Sequence, residues 1–182
     1  MSKYIKRIII ILSAFFLTGC IWLMDPSEKV DALLSKYVKL DKTIVDELKE
    51  YIDKQDLTDD EKERYENIIK KEYASIKYEI KNESIEGDFA SVEVDITVLD
   101  LYGAVKRAED YLISNPVKFY TNGEYDVHKY IDYKLDVMEI NEETKDYTIY
   151  ITLSRHDDIW YIEELDEDTL QKIHGIYNYS DK

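Results

Sequence analysis

The chain has 182 residues, with 40 Asp and Glu against 24 Lys and Arg, a net charge of −16 and a single Cys. Its hydrophobic share of 45% suffices to build a core, which excludes a disordered chain. One Cys excludes an intrachain disulfide framework, and an acidic surface disfavours general nucleic-acid binding because it repels phosphate.

The charge is unevenly written. The first nineteen residues hold Lys3, Lys6 and Arg7 and no acid, so the remainder carries 21 cations against 40 acids, a net charge of −19. After the basic start comes the apolar run Ile8 to Leu17, whose ten residues suit a signal-peptide h-region and fall short of a spanning helix. Then comes Leu17-Thr18-Gly19-Cys20. The ordered set of basic region, apolar run and four-residue box resembles the lipobox of bacterial lipoproteins. The resemblance implies signal-peptidase recognition of Leu17, Thr18, Gly19 and Cys20, cleavage before Cys20, and acylation of its thiol. The alternative is an uncleaved membrane helix, since Ile8 to Met24 is free of charge. Either way the basic flank stays inside and the remainder lies outside the cytoplasm. The organisation expected is a signal peptide over 1–19, a lipidated Cys and short tether over 20–25, one domain over 26–177, and a tail over 178–182.

Asp25-Pro26-Ser27-Glu28 is a helix start, with Asp25 as N-cap, Pro26 at the first helical position and Glu28 closing a capping box. Only Ile21 to Met24 then separate lipid from domain, a reach of about 15 Å. Helical spacing continues through Val30, Leu33, Leu34, Tyr37 and Val38, then Ile44, Leu48, Tyr51 and Ile52. Leu40-Asp41 either breaks this stretch into two helices or bends one. Thr58-Asp59-Asp60-Glu61 is a second capping box, read as capping rather than metal binding, with Tyr65, Ile68, Ile69 and Tyr73 behind it.

The period then changes to two. Ile76, Tyr78 and Ile80 alternate with polar residues, Glu86-Gly87-Asp88 turns, and Ala90, Val92, Val94, Ile96 and Val98 alternate on the return. Two helical stretches follow, carrying Leu101 to Leu112 and Val127 to Met138, with Thr121-Asn122-Gly123 between them as a loop. A second hairpin runs from Tyr147 to Leu153, turns at His156-Asp157-Asp158 and returns through Ile159 to Ile162. Asp166 or Asp168 caps a last short helix that Gly175 ends.

This order predicts an α+β domain, an antiparallel sheet of two hairpins (about four strands) packed on N-terminal helices, with a helical pair between the hairpins. The layout resembles the cystatin-like and nuclear-transport-factor-2-like folds. The chain also resembles lipoproteins of low-GC Gram-positive bacteria carrying such domains. That likeness rests on Leu17-Thr18-Gly19-Cys20, Tyr78-Glu79-Ile80-Lys81, the Ala90/Val92/Val94 strand, Trp160 and Lys172-Ile173-His174-Gly175-Ile176-Tyr177. It implies kinship rather than an activity.

Catalytic parts are missing from the sequence. The lipid uses Cys20, and no Gly-x-Ser-x-Gly or Ser-x-x-Lys motif is present. His128, His156 and His174 have no metal-ligand spacing; the first two read as solvated and the third as a cation at a helix C-terminus. Asp95, the carboxylate that the nuclear-transport-factor-2-like resemblance would assign as a pocket base, falls on the polar side of its strand. The acidic run Glu163 to Asp168 lacks EF-hand spacing and reads as a solvated face. Tyrosine is abundant at 17 residues, and Tyr150, Trp160 and Tyr161 form a candidate aromatic binding patch on the last hairpin.

The expectation is a membrane-anchored extracytoplasmic lipoprotein whose domain binds or scaffolds without catalysis, with no cofactor and no metal. Its partners are the membrane through the lipid on Cys20, and envelope proteins, a wall polymer or a cationic ligand. The competing expectations are a pocket-bearing nuclear-transport-factor-2-like enzyme or small-ligand carrier, and cation or cationic-peptide binding by the acidic surface.

Overall fold

A computed structural model describes residues 24–179. Helix α1, Pro26–Val38, starts as its capping box dictates: the Asp25 carboxylate accepts from the Glu28 N–H and the Glu28 side chain from the Asp25 N–H. It ends at Leu40, whose φ of 51° is the left-handed conformation that reverses a helix end. Asp41 then caps α2, Lys42–Asp53, so the stretch is two helices. Thr58 and Glu61 form the second capping box at the head of α3, Asp59–Ser75.

Strand β1, Lys77–Glu86, and strand β2, Phe89–Leu99, form the first hairpin. Helix α4, Leu101–Ser114, is capped by Asp100, whose carboxylate accepts from the Gly103 N–H at 2.8 Å. A 3₁₀ turn at Pro116–Phe119 leads to α5, Val127–Glu139. Between them the predicted loop is a small hairpin of β3, Tyr120–Thr121, and β4, Glu124–Tyr125. Asn122 and Gly123 supply the two positive-φ positions that a tight hairpin turn requires. Strands β5, Thr144–His156, and β6, Ile159–Ile162, form the last large hairpin, followed by α6, Glu167–Ile173, which Asp166 caps.

The protein is α+β: its described residues form a four-stranded antiparallel sheet in the order β1-β2-β5-β6, six helices and the small two-stranded hairpin. Alternation aims Ala90, Val92, Val94, Ile96 and Val98 of β2 and Ile149, Ile151 and Leu153 of β5 at the helices, where all are buried. Register brings Val92 opposite Ile151 and Val94 opposite Ile149. Each such side chain removed from water contributes about 1.5–3 kcal/mol. Helices α1, α3 and α6 cover this face, while the α4–α5 hairpin packs on α3. There Arg64 of α3 reaches Asp132, Asp136 and Glu139 of α5 at 3.4, 2.6 and 3.0 Å.

The opposite sheet face is polar and internally paired. The Thr148 hydroxyl donates to Asp95 at 2.7 Å, Thr97 donates to Asp146 at 2.6 Å, and the Asn82 amide donates to Glu93 at 3.1 Å. A bulge between Ile80 and Asn82 makes Lys81 the extra residue, and its ammonium sits 3.5 Å from Asp95. Among the described residues no helix is long and apolar enough to cross a membrane.

Candidate ligand pocket

Helices α1, α2, α3 and α6 do not close completely where their ends meet. They leave a pocket of about 470 Å³ walled by the rings of Tyr37, Tyr51, Tyr65 and Tyr73, with Leu48 and Ile69 among its aliphatic lining. The same helical stripes that pack the core supply this lining. Tyr37 and Tyr73 lie at the C-terminal ends of α1 and α3, and Tyr65 stands two turns before Tyr73. Tyr51, on the flank of the α2 stripe, remains 56% exposed and forms part of the mouth.

The floor is aromatic and polar together. Tyr37 and Tyr73 meet edge-to-face with centroids 5.1 Å apart, and the His174 ring lies 5.4 Å from Tyr73. The Tyr73 hydroxyl and His174 Nδ1 are hydrogen-bonded at 2.7 Å. Burial pushes the His174 imidazole down to about 4, so it is neutral at physiological pH, and burial pushes the Tyr73 hydroxyl up. Tyr73 has no other acceptor among the described residues, so its proton is assigned to Nδ1 and the ring proton to Nε2. His174, a lining residue, is therefore a neutral ring with its proton on Nε2 instead of the cation expected at a helix end. The hydroxyls of Tyr37, Tyr51 and Tyr65 have no hydrogen-bond partner among the described residues. Burial raises the Tyr65 hydroxyl to about 12.

Charge at the mouth has one sign. Glu47 and Glu167 line the pocket beside Gln171, and no Lys or Arg does. The Glu47 carboxylate adds to the burial that raises the Tyr37 hydroxyl, so its field reaches the rings. An adjoining depression of about 360 Å³ shares Tyr51, Tyr65 and Ile176 with this pocket and continues over Leu57, Val105, Leu135 and Met138.

Glu72 is the unanticipated residue. It is fully buried next to Tyr73, yet it is not part of the pocket lining. Its Oε2 accepts from the Leu99 N–H at 3.1 Å and the Ser75 hydroxyl at 3.2 Å, while Oε1 has no partner. Burial raises it to about 7 against the two hydrogen bonds that lower it. Gly175 covers it: at φ 67°, a Cβ there would overlap the Leu99 carbonyl and lie 3.6 Å from Glu72 Oε1. The sequence signal was a carboxylate on the apolar stripe of Ile68, Ile69, Tyr73 and Ile76.

The candidate patch on the last hairpin does not assemble. Trp160 pairs with Arg155 on the inward side and is buried, with the Arg155 guanidinium 5.1 Å from its ring centre. Tyr150 and Tyr161 are exposed on the outward side, but Tyr161 pairs with Ser154, four residues along from Tyr150. That is about 13 Å along the strand. A larger, more open depression of about 600 Å³ lies on this outer face, but its Asp95, Thr97, Asp146 and Thr148 already satisfy one another.

His156 stands beside Tyr161 at the hairpin end, with ring centres 6.1 Å apart. His128, read as solvated, is half-exposed and bonds through Nδ1 to Glu61 at 2.8 Å. Asp59, Asp60 and Glu61 occupy the first turn of α3 as capping predicts. Among the described residues no three or more His, Cys, Asp or Glu gather as a metal site. Leu17, Thr18, Gly19 and Cys20 lie outside the described residues.

No family model matches the chain, and no curated protein matches it. A solved structure similar to it is that of a proposed lipoprotein, YcdA, of Bacillus subtilis, at 16% identity and a TM-score of 0.42. The match covers 74% of this chain and 44% of that one, so the chain spans less than half the length of that protein. A likeness this loose carries no argument about fold or function.

Proposed function

We propose that this protein is a lipid-anchored extracytoplasmic binding domain whose ligand is a small molecule held in the tyrosine pocket. Support for the anchor comes from the sequence: a basic start, a short apolar run and Leu17-Thr18-Gly19-Cys20 in the required order. Acylation at Cys20 by two or more chains gives stable attachment where one does not. The first described helix begins at Pro26, and four extended residues between Cys20 and Asp25 reach about 15 Å, so the domain would sit close to the lipid. Replacing Cys20 by Ser is expected to abolish labelling by palmitate and release the protein from membranes. Unchanged attachment would refute the anchor.

The observation that carries the binding reading is the pocket itself. It joins apolar walls to a few convergent polar groups, the composition of a small-molecule site. A neutral, environment-sensitive dye is expected to bind with one-to-one stoichiometry. Gln171→Trp, which fills the mouth from an outer helix position, is expected to abolish that binding and leave folding intact. Equal binding by this variant would remove the pocket from the account.

The enzyme alternative draws on one observation, the orphan oxygen of Glu72. A pocket base must reach a proton on the bound substrate. Glu72 instead sits behind the floor under Gly175; within the pocket the His174 imidazole is neutral, the Tyr37, Tyr65 and Tyr73 phenols are held above their usual range, and the carboxylates Glu47 and Glu167 stand exposed at the mouth. The imidazole and phenols orient a ligand; they are not poised to take a proton from it. Envelope proteins and a wall polymer remain the alternative partners, and loss of dye binding with retained capture of either would favour them.

A further inference from the structure

We infer that the pocket selects an organic ammonium ion, a cationic head on an aromatic or alkyl body; this rests on the pocket being the ligand site. Four tyrosine rings elsewhere among the described residues lie under the protein's own cations. Lys118 lies 5.0 Å from the Tyr111 ring centre, Lys134 5.9 Å from Tyr130, Lys145 4.3 Å from Tyr179, and Lys172 4.9 Å from Tyr177. Among the described residues Tyr37, Tyr51, Tyr65 and Tyr73 have no such partner. Four electron-rich rings are gathered around one cavity that no Lys or Arg lines, with the Tyr37–Tyr73 edge contact covering one ring face.

Charge points the same way. Glu47 and Glu167 stand at the mouth, no Lys or Arg lines the cavity, and the one residue able to become cationic, His174, is kept neutral down to about pH 4 by burial. An anion would meet two carboxylates and no countercharge. A neutral body would gain the apolar contact but leave the ring faces and carboxylates unused. A cation gains from both, and it gains most where the walls exclude water. The adjoining depression past Tyr51 and Tyr65 continues over Leu57, Val105 and Leu135 with Asp56 and Lys134 also in its lining, so an alkyl tail on the ammonium can continue beyond the first cavity.

The test uses the full chain in a non-ionic detergent, with empty micelles as the blank. Three probes share one aromatic body: benzyltrimethylammonium, benzyl alcohol and phenylacetate. Calorimetric titration is expected to rank them cation, alcohol, anion, with the cation at least about tenfold tighter than the alcohol. Glu47→Gln combined with Glu167→Gln, both exposed and harmless to the core, is expected to cut cation affinity about tenfold and leave the alcohol unchanged. Tyr51→Leu, at the exposed edge, is expected to weaken the cation selectively. Equal binding of alcohol and cation, unmoved by the double substitution, would overturn the ammonium assignment and leave the pocket standing as a site. Absence of binding by all three would overturn both.

Discussion

The two ends of α3 each bring a glutamate and a histidine close, and their surroundings shift the two pairs in opposite directions. At its start Glu61 is buried but keeps its charge: two capping bonds and His128 hold it below the usual carboxylate range, and His128 is raised in return. At its end Glu72 is also buried but lacks a cationic partner, and it rises to about 7, while His174 beside Tyr73 falls to about 4. The difference is both the partner and the depth: Glu61 meets an imidazole at the surface, whereas Glu72 lies deep in the core with no cation beside it among the described residues. Where a carboxylate and an imidazole meet, each favours the other's charged form; where each is buried apart, desolvation favours the neutral form of both. The neutral end is the one that floors the pocket.

Breaking the neutral end at its cover should cost most. Gly175→Ala places a Cβ into the Leu99 carbonyl at a left-handed φ, so the α6 end must lift off Glu72. A loss of about 3 kcal/mol or more is expected in urea unfolding. A stability equal to that of the parent chain would mean the cover is not needed.

Next comes the charge itself. Unfolded Glu72 releases its proton near 4.5 and folded Glu72 near 7, so the folded state holds the extra proton between them. Its contribution therefore falls as pH rises through that window. Glu72→Gln removes this penalty and is expected to stabilise the protein at pH 8 by up to about 3 kcal/mol. The opposite slope belongs to His174, which takes up a proton near 6.5 unfolded and near 4 folded, so stability falls as pH drops through that range. In the parent chain the two slopes oppose each other. Glu72→Gln alone should expose the acid-side loss.

His174→Phe should do the reverse. It leaves the Tyr73 hydroxyl without its Nδ1 acceptor, a cost of about 1–3 kcal/mol at neutral pH. It also removes the acid-side slope and exposes the loss on the alkaline side. A melting series over pH 4 to 8 distinguishes the two variants by the sign of that slope.

The charged end should respond least. His128 is raised by Glu61, so its contribution is complete below 6.5 and is lost as pH rises through its raised value. His128→Ala is expected to lower the melting midpoint slightly below pH 6.5 and to match the parent at high pH. A deficit that grew with pH would contradict the ion pair.

Much of the fold was legible because its signals are local. Asp25 with Glu28, Thr58 with Glu61, and the alternation of Ala90 to Val98 each lie within one element, and each formed as read. Two other local signals were legible but misread. Asn122-Gly123 is a hairpin pair, and adjacent strand residues such as Trp160 and Tyr161 must face opposite ways. The pocket was not legible. Tyr73 and His174 are 101 positions apart, and a tyrosine on an apolar stripe looks the same whether it fills a core or walls a cavity. Only the way α1, α2, α3 and α6 meet decides which.

The most direct test of the central claim is a tyrosine-ring NMR titration of the full chain with benzyltrimethylammonium. The signals of Tyr37, Tyr51, Tyr65 and Tyr73 are expected to move together and saturate, while those of Tyr150 and Tyr161 on the outer sheet face stay in place. Movement of Tyr150 and Tyr161 with the four pocket rings unchanged would contradict the account.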